Sequence, residues 1–208
     1  MSTIVQIEPP RARLCELPFD QNRGMWGMWC TITTEAMLFV CMFAGYYYLG
    51  SNKPRWAEHS PPELTLPLIM LAVLLSSSVV LYFGERQLRA GNHFLARVSV
   101  WITVVMGLGF LAIQGSEYYF DWMNSAPYND SYGSAFYAIT TLHASHVIVG
   151  LAMLAYIGIM PRYGETPRTP HRPFETVSKY WHFVDIVWVF IVTFLYVIPH
   201  WLRAQYVH

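Results

Sequence analysis

Tyr180 to Trp188, YWHFVDIVW, places a histidine and an aspartate inside a run that otherwise has the composition of a membrane-spanning helix. An ionisable group at that depth is costly and marks function by default. Two further intrusions raise the same question: Glu35 in TTEAMLFV, and the His143/His146 pair in TLHASHVIVG. Around them the chain is 54% hydrophobic and 16% aromatic. Only 12% of its residues are charged, about half the share of a soluble domain. The 208 residues suffice for one compact membrane bundle, expected as a single domain over 1–208, and leave little for a soluble module.

Five apolar runs are long enough to cross a bilayer, at about 26–49, 64–84, 97–120, 133–160 and 180–202. The expected fold is therefore all-α, an integral membrane bundle of five transmembrane helices. Interfacial aromatics mark the span ends: Trp26 and Trp29, Tyr46 to Tyr48, Trp101, Tyr118 with Trp122, Tyr180 with Trp181, and Trp201. Basic residues in alternate flanks set the sidedness. Arg11, Arg13, Arg23, Arg86, Arg89, Arg97, Arg162, Arg168, Arg172 and Lys179 stand on one side, against Lys53, Arg55 and Arg203 on the other. This predicts a cytoplasmic N-terminus, with 1–25 as a cytoplasmic segment lacking a signal peptide, and a C-terminus outside. Thirteen basic residues balance thirteen acidic ones, so no global field recruits nucleic acid.

The cysteines Cys15, Cys30 and Cys41 show no metal-ligand spacing and read as inert packing thiols. Glu35 lies about nine residues into the first span, roughly 14 Å from the membrane edge. Such a carboxyl must be protonated, paired or turned inward; it is either a structural acid or a proton-linked or lipid-gating group. His143 and His146 are three residues apart and share a helix face, which suggests packing histidines, a metal or haem site, or a proton or lipid contact. Counted from the same membrane side, His146 is about 14 residues deep and His182 about two, an offset of roughly 18 Å that one ion cannot bridge. His182 and Asp185 read as a shallow pair, local or facing a partner subunit. Glu117 falls at the outer end of the third span, where acids are common. Ser76, Ser77 and Ser78 suit close helix packing.

GMWGMWCTITTEAMLF from Gly24, PLIMLAVLLSSS, QGSEYYF, YGSAFY, TLHASHVIVG and PFETVSKYWHFVDIVW occur in this order over about 180 residues. In them the chain resembles subunit III of the haem-copper cytochrome c oxidases and related quinol oxidases. The family's TGFHGxHV appears here as TLHASHV, with both histidines kept and the packing between them altered. Five spans rather than seven resemble the shorter bacterial subunits. The resemblance implies a non-catalytic subunit of an oxidase that reduces O2 to water and pumps protons. Haem and copper would be held by partner subunits, with subunit I the main contact, followed by subunit II, other oxidase subunits and a larger respiratory supercomplex. No metal or other cofactor is expected on this chain, but structural phospholipids are. Glu35, His143 and His146 would be proton- or lipid-linked, and Glu175, His182 and Asp185 would lie at an interface or on the proton-uptake side. Glu117 marks the outer helix end. The membrane would be the bacterial cytoplasmic one. A membrane haem cytochrome and a proton-coupled transporter are the rival classes.

Overall fold

The computed structural model describes residues 23–52, 64–124, 131–159, 172–199 and 201, all helical except Leu64 and Ala90–Asn92. The flanks 1–22, 53–63 and 160–171, with Cys15 and six of the thirteen basic residues behind the sidedness expectation, lie outside the described residues. The helices are α1 (Arg23–Asn52), α2 (Thr65–Arg89), α3 (His93–Asn124), α4 (Ser131–Ile159) and α5 (Arg172–Ile191). α5 runs on into a π-helical stretch, Val192–Val197. All five helices are long and apolar enough to cross a membrane.

Three of these helices outrun their apolar segments. α2 continues through GERQLR to Arg89, and α3 starts at His93. The turn between them explains how. Gly91, at φ +84°, takes the left-handed conformation, its N–H donates to Leu88 O (3.0 Å), and the N–H of Asn92 donates to Gln87 O (2.9 Å). This is a Schellman closure of α2. The Asn92 side chain then accepts from the N–H of Leu95 (3.4 Å), capping α3.

α5 departs most from expectation: it begins at Arg172 rather than Tyr180. Pro173, in the first turn, loses no hydrogen bond there. Glu175 sits at the positive end of the helix dipole. Ten residues of α5 therefore precede His182, a rise of about 15 Å. Asp185 falls at the centre of the Pro173–Val197 span. The shallow placement of His182 and Asp185 is thus overturned. Tyr180 and Trp181 are core residues too, at 4% and 0% exposure, rather than interfacial ones.

α2, α3, α4 and α5 form a closed ring in which each packs on the next and α5 returns to α2. α1 leans on α4 and α5 from outside. It buries one narrow line, Phe39 and Tyr46, and exposes Trp26, Trp29, Met37, Leu38 and Val40. Cys30 and Cys41 are free thiols on its exposed surface, which corrects their reading as packing residues. Small residues let the ring close. Trp181 lies across Gly107 of α3 and Gly150 of α4, where a Cβ would meet its ring at 2.8 and 3.0 Å. Its indole N–H donates to Ser77 Oγ on α2 (3.0 Å). One side chain thereby ties α5 to the three other ring helices.

Candidate functional site

Two separate polar clusters occupy the helix seams. The first is where α1 meets α4. A cleft of about 390 Å³ opens between them, lined by Met28, Thr31, Glu35, Ser145, His146, Val149, Met153 and, from α5, Tyr180. Glu35 Oε2 lies 3.0 Å from His146 Nε2, with the two side chains 33% and 12% exposed. His146 Nδ1 is 2.8 Å from Leu142 O. A carbonyl only accepts, so Nδ1 carries a proton. The Nε2–Glu35 hydrogen bond then takes its proton from one partner or the other. Of the three states open to it, Glu35 is paired, and it faces a cleft rather than the sealed interior.

His143 shares the histidine face, since both rings meet Phe39. Its surroundings differ. At 1% exposure it stacks on Trp188 at 4.9 Å and meets the edge of Phe110. Neither ring nitrogen has a hydrogen-bond partner among the described residues. His143 is a packing group of the core, whereas His146 bonds across helices.

The second cluster runs along the α2/α5 seam. Where α2 ends, Arg89 pairs with Glu85 (2.6 Å) and with Glu175 (3.2 Å). Ser178 Oγ lies 3.3 Å from Glu85 Oε2 and 3.3 Å from His182 Nε2. His182 Nδ1 is 2.7 Å from Ser78 Oγ. Ser78 Oγ makes a further, short hydrogen bond to Asp185 Oδ2. Asp185 is 2% exposed, and its Oδ1 has no partner among the described residues.

Glu175, His182 and Asp185 therefore fall on one seam: Ser78 links His182 to Asp185, and Glu175 joins through Arg89 and Glu85. Ser77 and Ser78 bind α5 side chains, more than the loose packing role expected of them. The sequence reading passed over Glu85 and Ser178, counted Arg89 for sidedness alone, and gave Ser78 only a packing role. The signal was available: 175, 178, 182 and 185 on α5, and 78, 85 and 89 on α2, are polar positions at heptad-like spacing. Glu117 stands apart, partly buried on α3 beside Tyr118, whose hydroxyl donates to Thr140 (2.7 Å).

The 18 Å offset between His146 and His182 also falls. The hydroxyl of Tyr180 comes within 3.5 Å of His146 O, which places that part of α5 close to His146. What keeps the two histidines apart is direction, since His146 turns to Glu35 on α1 and His182 to Ser78 on α2.

Residues 19–201 match a family model described as Cytochrome c oxidase subunit III. The cytochrome c oxidase subunit 3 of Ovis aries is 32% identical over 190 residues, covering 86% of this chain and 71% of the relative. The subunit 3 of Latimeria chalumnae is 32% identical over 184 residues (85% and 70%), and that of Drosophila yakuba 32% over 182 (82% and 68%).

Proposed function

Because this chain belongs to the cytochrome c oxidase subunit III family, and so to a multisubunit oxidase complex, we propose that it serves that complex as a non-catalytic, lipid-holding subunit. The observation that carries this reading is the α1/α4 cleft. Its walls are apolar at Met28, Val149 and Met153, and its polar side chains include Thr31, Glu35, Ser145, His146 and Tyr180. An amphipathic phospholipid needs both. Lys179, next to Tyr180, holds its ammonium 6.0 Å from the Trp29 ring centre and 3.0 Å from Met25 Sδ. It supplies a cation for a phosphate at the α1/α5 seam.

In this reading haem and copper belong to the partner subunits, with subunit I the main neighbour. The lipid-filled cleft stabilises the complex through turnover and offers O2 an apolar route. The Arg89/Glu85/Glu175 end, on the basic cytoplasmic side of a bacterial inner membrane, assists proton uptake. The electron donor is taken to be cytochrome c, after the relatives' name, with quinol the alternative.

Native mass spectrometry of the purified complex tests the lipid role. The expected result is phospholipid retained in proportion to this subunit and lost in Glu35→Ala. Equal lipid content in the variant would overturn it. Stripping the subunit should shorten the active lifetime of the oxidase and slow proton uptake, and a stripped complex with unchanged lifetime and uptake would sink the supporting role.

A further inference from the structure

The α2/α5 seam carries a count of protons as well as a set of contacts. Five side chains, Glu85, Ser178, His182, Ser78 and Asp185, are joined by four hydrogen bonds in a single file. Each serine has one proton to donate, and each imidazole nitrogen either donates or accepts. Suppose Asp185 is protonated. It donates to Ser78, Ser78 to His182 Nδ1, His182 Nε2–H to Ser178, and Ser178 to an ionised Glu85. If Glu85 is protonated instead, every bond reverses: Glu85 donates to Ser178, Ser178 to His182 Nε2, Nδ1–H to Ser78, and Ser78 to an ionised Asp185. The third arrangement has both serines donating outward to two carboxylates, with imidazolium at the centre.

All three keep all four bonds, and all three carry one net negative charge. Removing the proton leaves two carboxylates and a neutral imidazole, which cannot serve both serines. Adding a second breaks a bond at one end. A buried, low-dielectric seam penalises either loss.

We propose that this file is a one-proton store, in which Asp185 at mid-membrane, His182, and Glu85 near the C-terminal end of α2 share a single proton that moves between them by reversal of the hydrogen-bond file. Each move balances. An O–H or N–H bond breaks at every donor as one forms at its acceptor; in the end-to-end move the imidazole releases at one nitrogen what it takes at the other, and in the half-way move His182 keeps the proton as imidazolium while both carboxyls are ionised. The two ends differ in their surroundings: Glu85 pairs with Arg89, whereas Asp185 Oδ1 is buried with no partner among the described residues. Other titratable or charged side chains on the helices packed against α5 include Arg86 and Tyr82 on α2, Glu35 on α1, His93, Arg97 and Glu117 on α3, and His143 and His146 on α4. α5 itself adds Glu175 and Lys179. The store belongs to this chain's own residues and stands whether or not the subunit speeds the oxidase's proton uptake.

Infrared difference spectra of the purified complex through a pH titration read protonated carboxyls directly. The Asp185 band is assigned by its loss in Asp185→Asn, and carbon-13 labelling of aspartate separates it from glutamate bands should that variant assemble poorly. Arg89→Gln removes the cation paired with Glu85, so the proton moves toward Glu85. The ratio of protonated Asp185 to protonated Glu85 should fall about two- to fivefold, as an exposed ion pair implies. Glu85→Gln removes the competitor, so the Asp185 band should grow. Ser178→Ala cuts the file and should abolish both responses. An Asp185 band unchanged by both Arg89→Gln and Glu85→Gln would overturn the proposal. So would the absence of any Asp185 band at every pH, or responses that survive Ser178→Ala.

Discussion

Replacing Gly107 with alanine places a methyl group against the ring of Trp181, and the surroundings of that ring set the cost. The new Cβ would stand 2.6 Å from Leu151 Cδ2 and 2.8 Å from Trp181 Cη2. Comfortable carbon contacts lie at about 3.5–4.0 Å. Leu151 can turn its terminal methyl away. Trp181 cannot retreat freely, because Gly150 holds its other side and Ser77 holds its indole N–H at 3.0 Å. A shift of about 0.7–1.2 Å, the shortfall against those contact distances, would stretch the indole bond beyond useful length. Overpacking costs about 1–3 kcal/mol, and the lost indole bond adds about 1 kcal/mol. Alanine returns about 1 kcal/mol of helix propensity. The net expectation is a loss of about 1–3 kcal/mol, or about 5- to 150-fold in the folding equilibrium.

Gly109, two residues on, has nothing within 4 Å of its ideal Cβ. Gly109→Ala should therefore be neutral or stabilising by up to about 1 kcal/mol. Both variants would be compared by denaturant titration in mixed micelles, with tryptophan fluorescence as the probe. Gly107→Ala as stable as Gly109→Ala would refute the picture of Trp181 as a rigid clamp.

Other substitutions probe the remaining seams. Glu35→Ala leaves His146 Nε2 unpartnered in a partly open site and should cost about 1 kcal/mol. Glu35→Gln, whose amide can donate to that nitrogen, should keep most of it, and equal losses in a thermal melt would argue against the pair. Ser77→Ala strips the Trp181 indole N–H of its acceptor in a fully buried place and should cost about 1–3 kcal/mol, checked by the same titration; no change would mean the bond carries nothing. Gly91→Ala forces a Cβ into the left-handed region and should cost about 1 kcal/mol at the α2–α3 turn, seen as faster amide exchange at Ala90 to Asn92; unaltered exchange there would contradict the turn assignment.

The membrane class, the helix count and the all-α fold were legible because apolar length carries them directly. Helix ends were not, since α2 and α5 extend through charged residues that hydropathy discounts. The segment from Arg172 to Lys179 contains Glu175, Ser178 and Lys179, so its apolar average is low, yet nothing in it breaks a helix after Pro173. That misplacement made His182 and Asp185 look shallow. The Glu35–His146 pair could be anticipated as two polar groups needing partners in lipid, but which histidine takes the glutamate depends on how α1 leans, and no local pattern encodes that. The serine links were hidden by the ordinariness of serine. Ser76, Ser77 and Ser78 are consecutive, and only the helix phase separates the exposed first from the two that bind α5.

The one-sided seating of α1 makes it the element whose attachment is open to mass action. The ring helices enclose one another, whereas α1 touches its neighbours along one seam and leaves a cleft open beside it. Any molecule that fills the cleft and touches both walls adds its own binding free energy to that seam, about 2.7 kcal/mol at a hundred times its dissociation constant. Dilution into detergent removes that contribution from α1 before it reaches the ring. Loss of α1 contacts should then come first and be reversible, leaving a four-helix remnant still folded, so that the composition of the surrounding bilayer acts as a dial on how many helices the subunit holds in place.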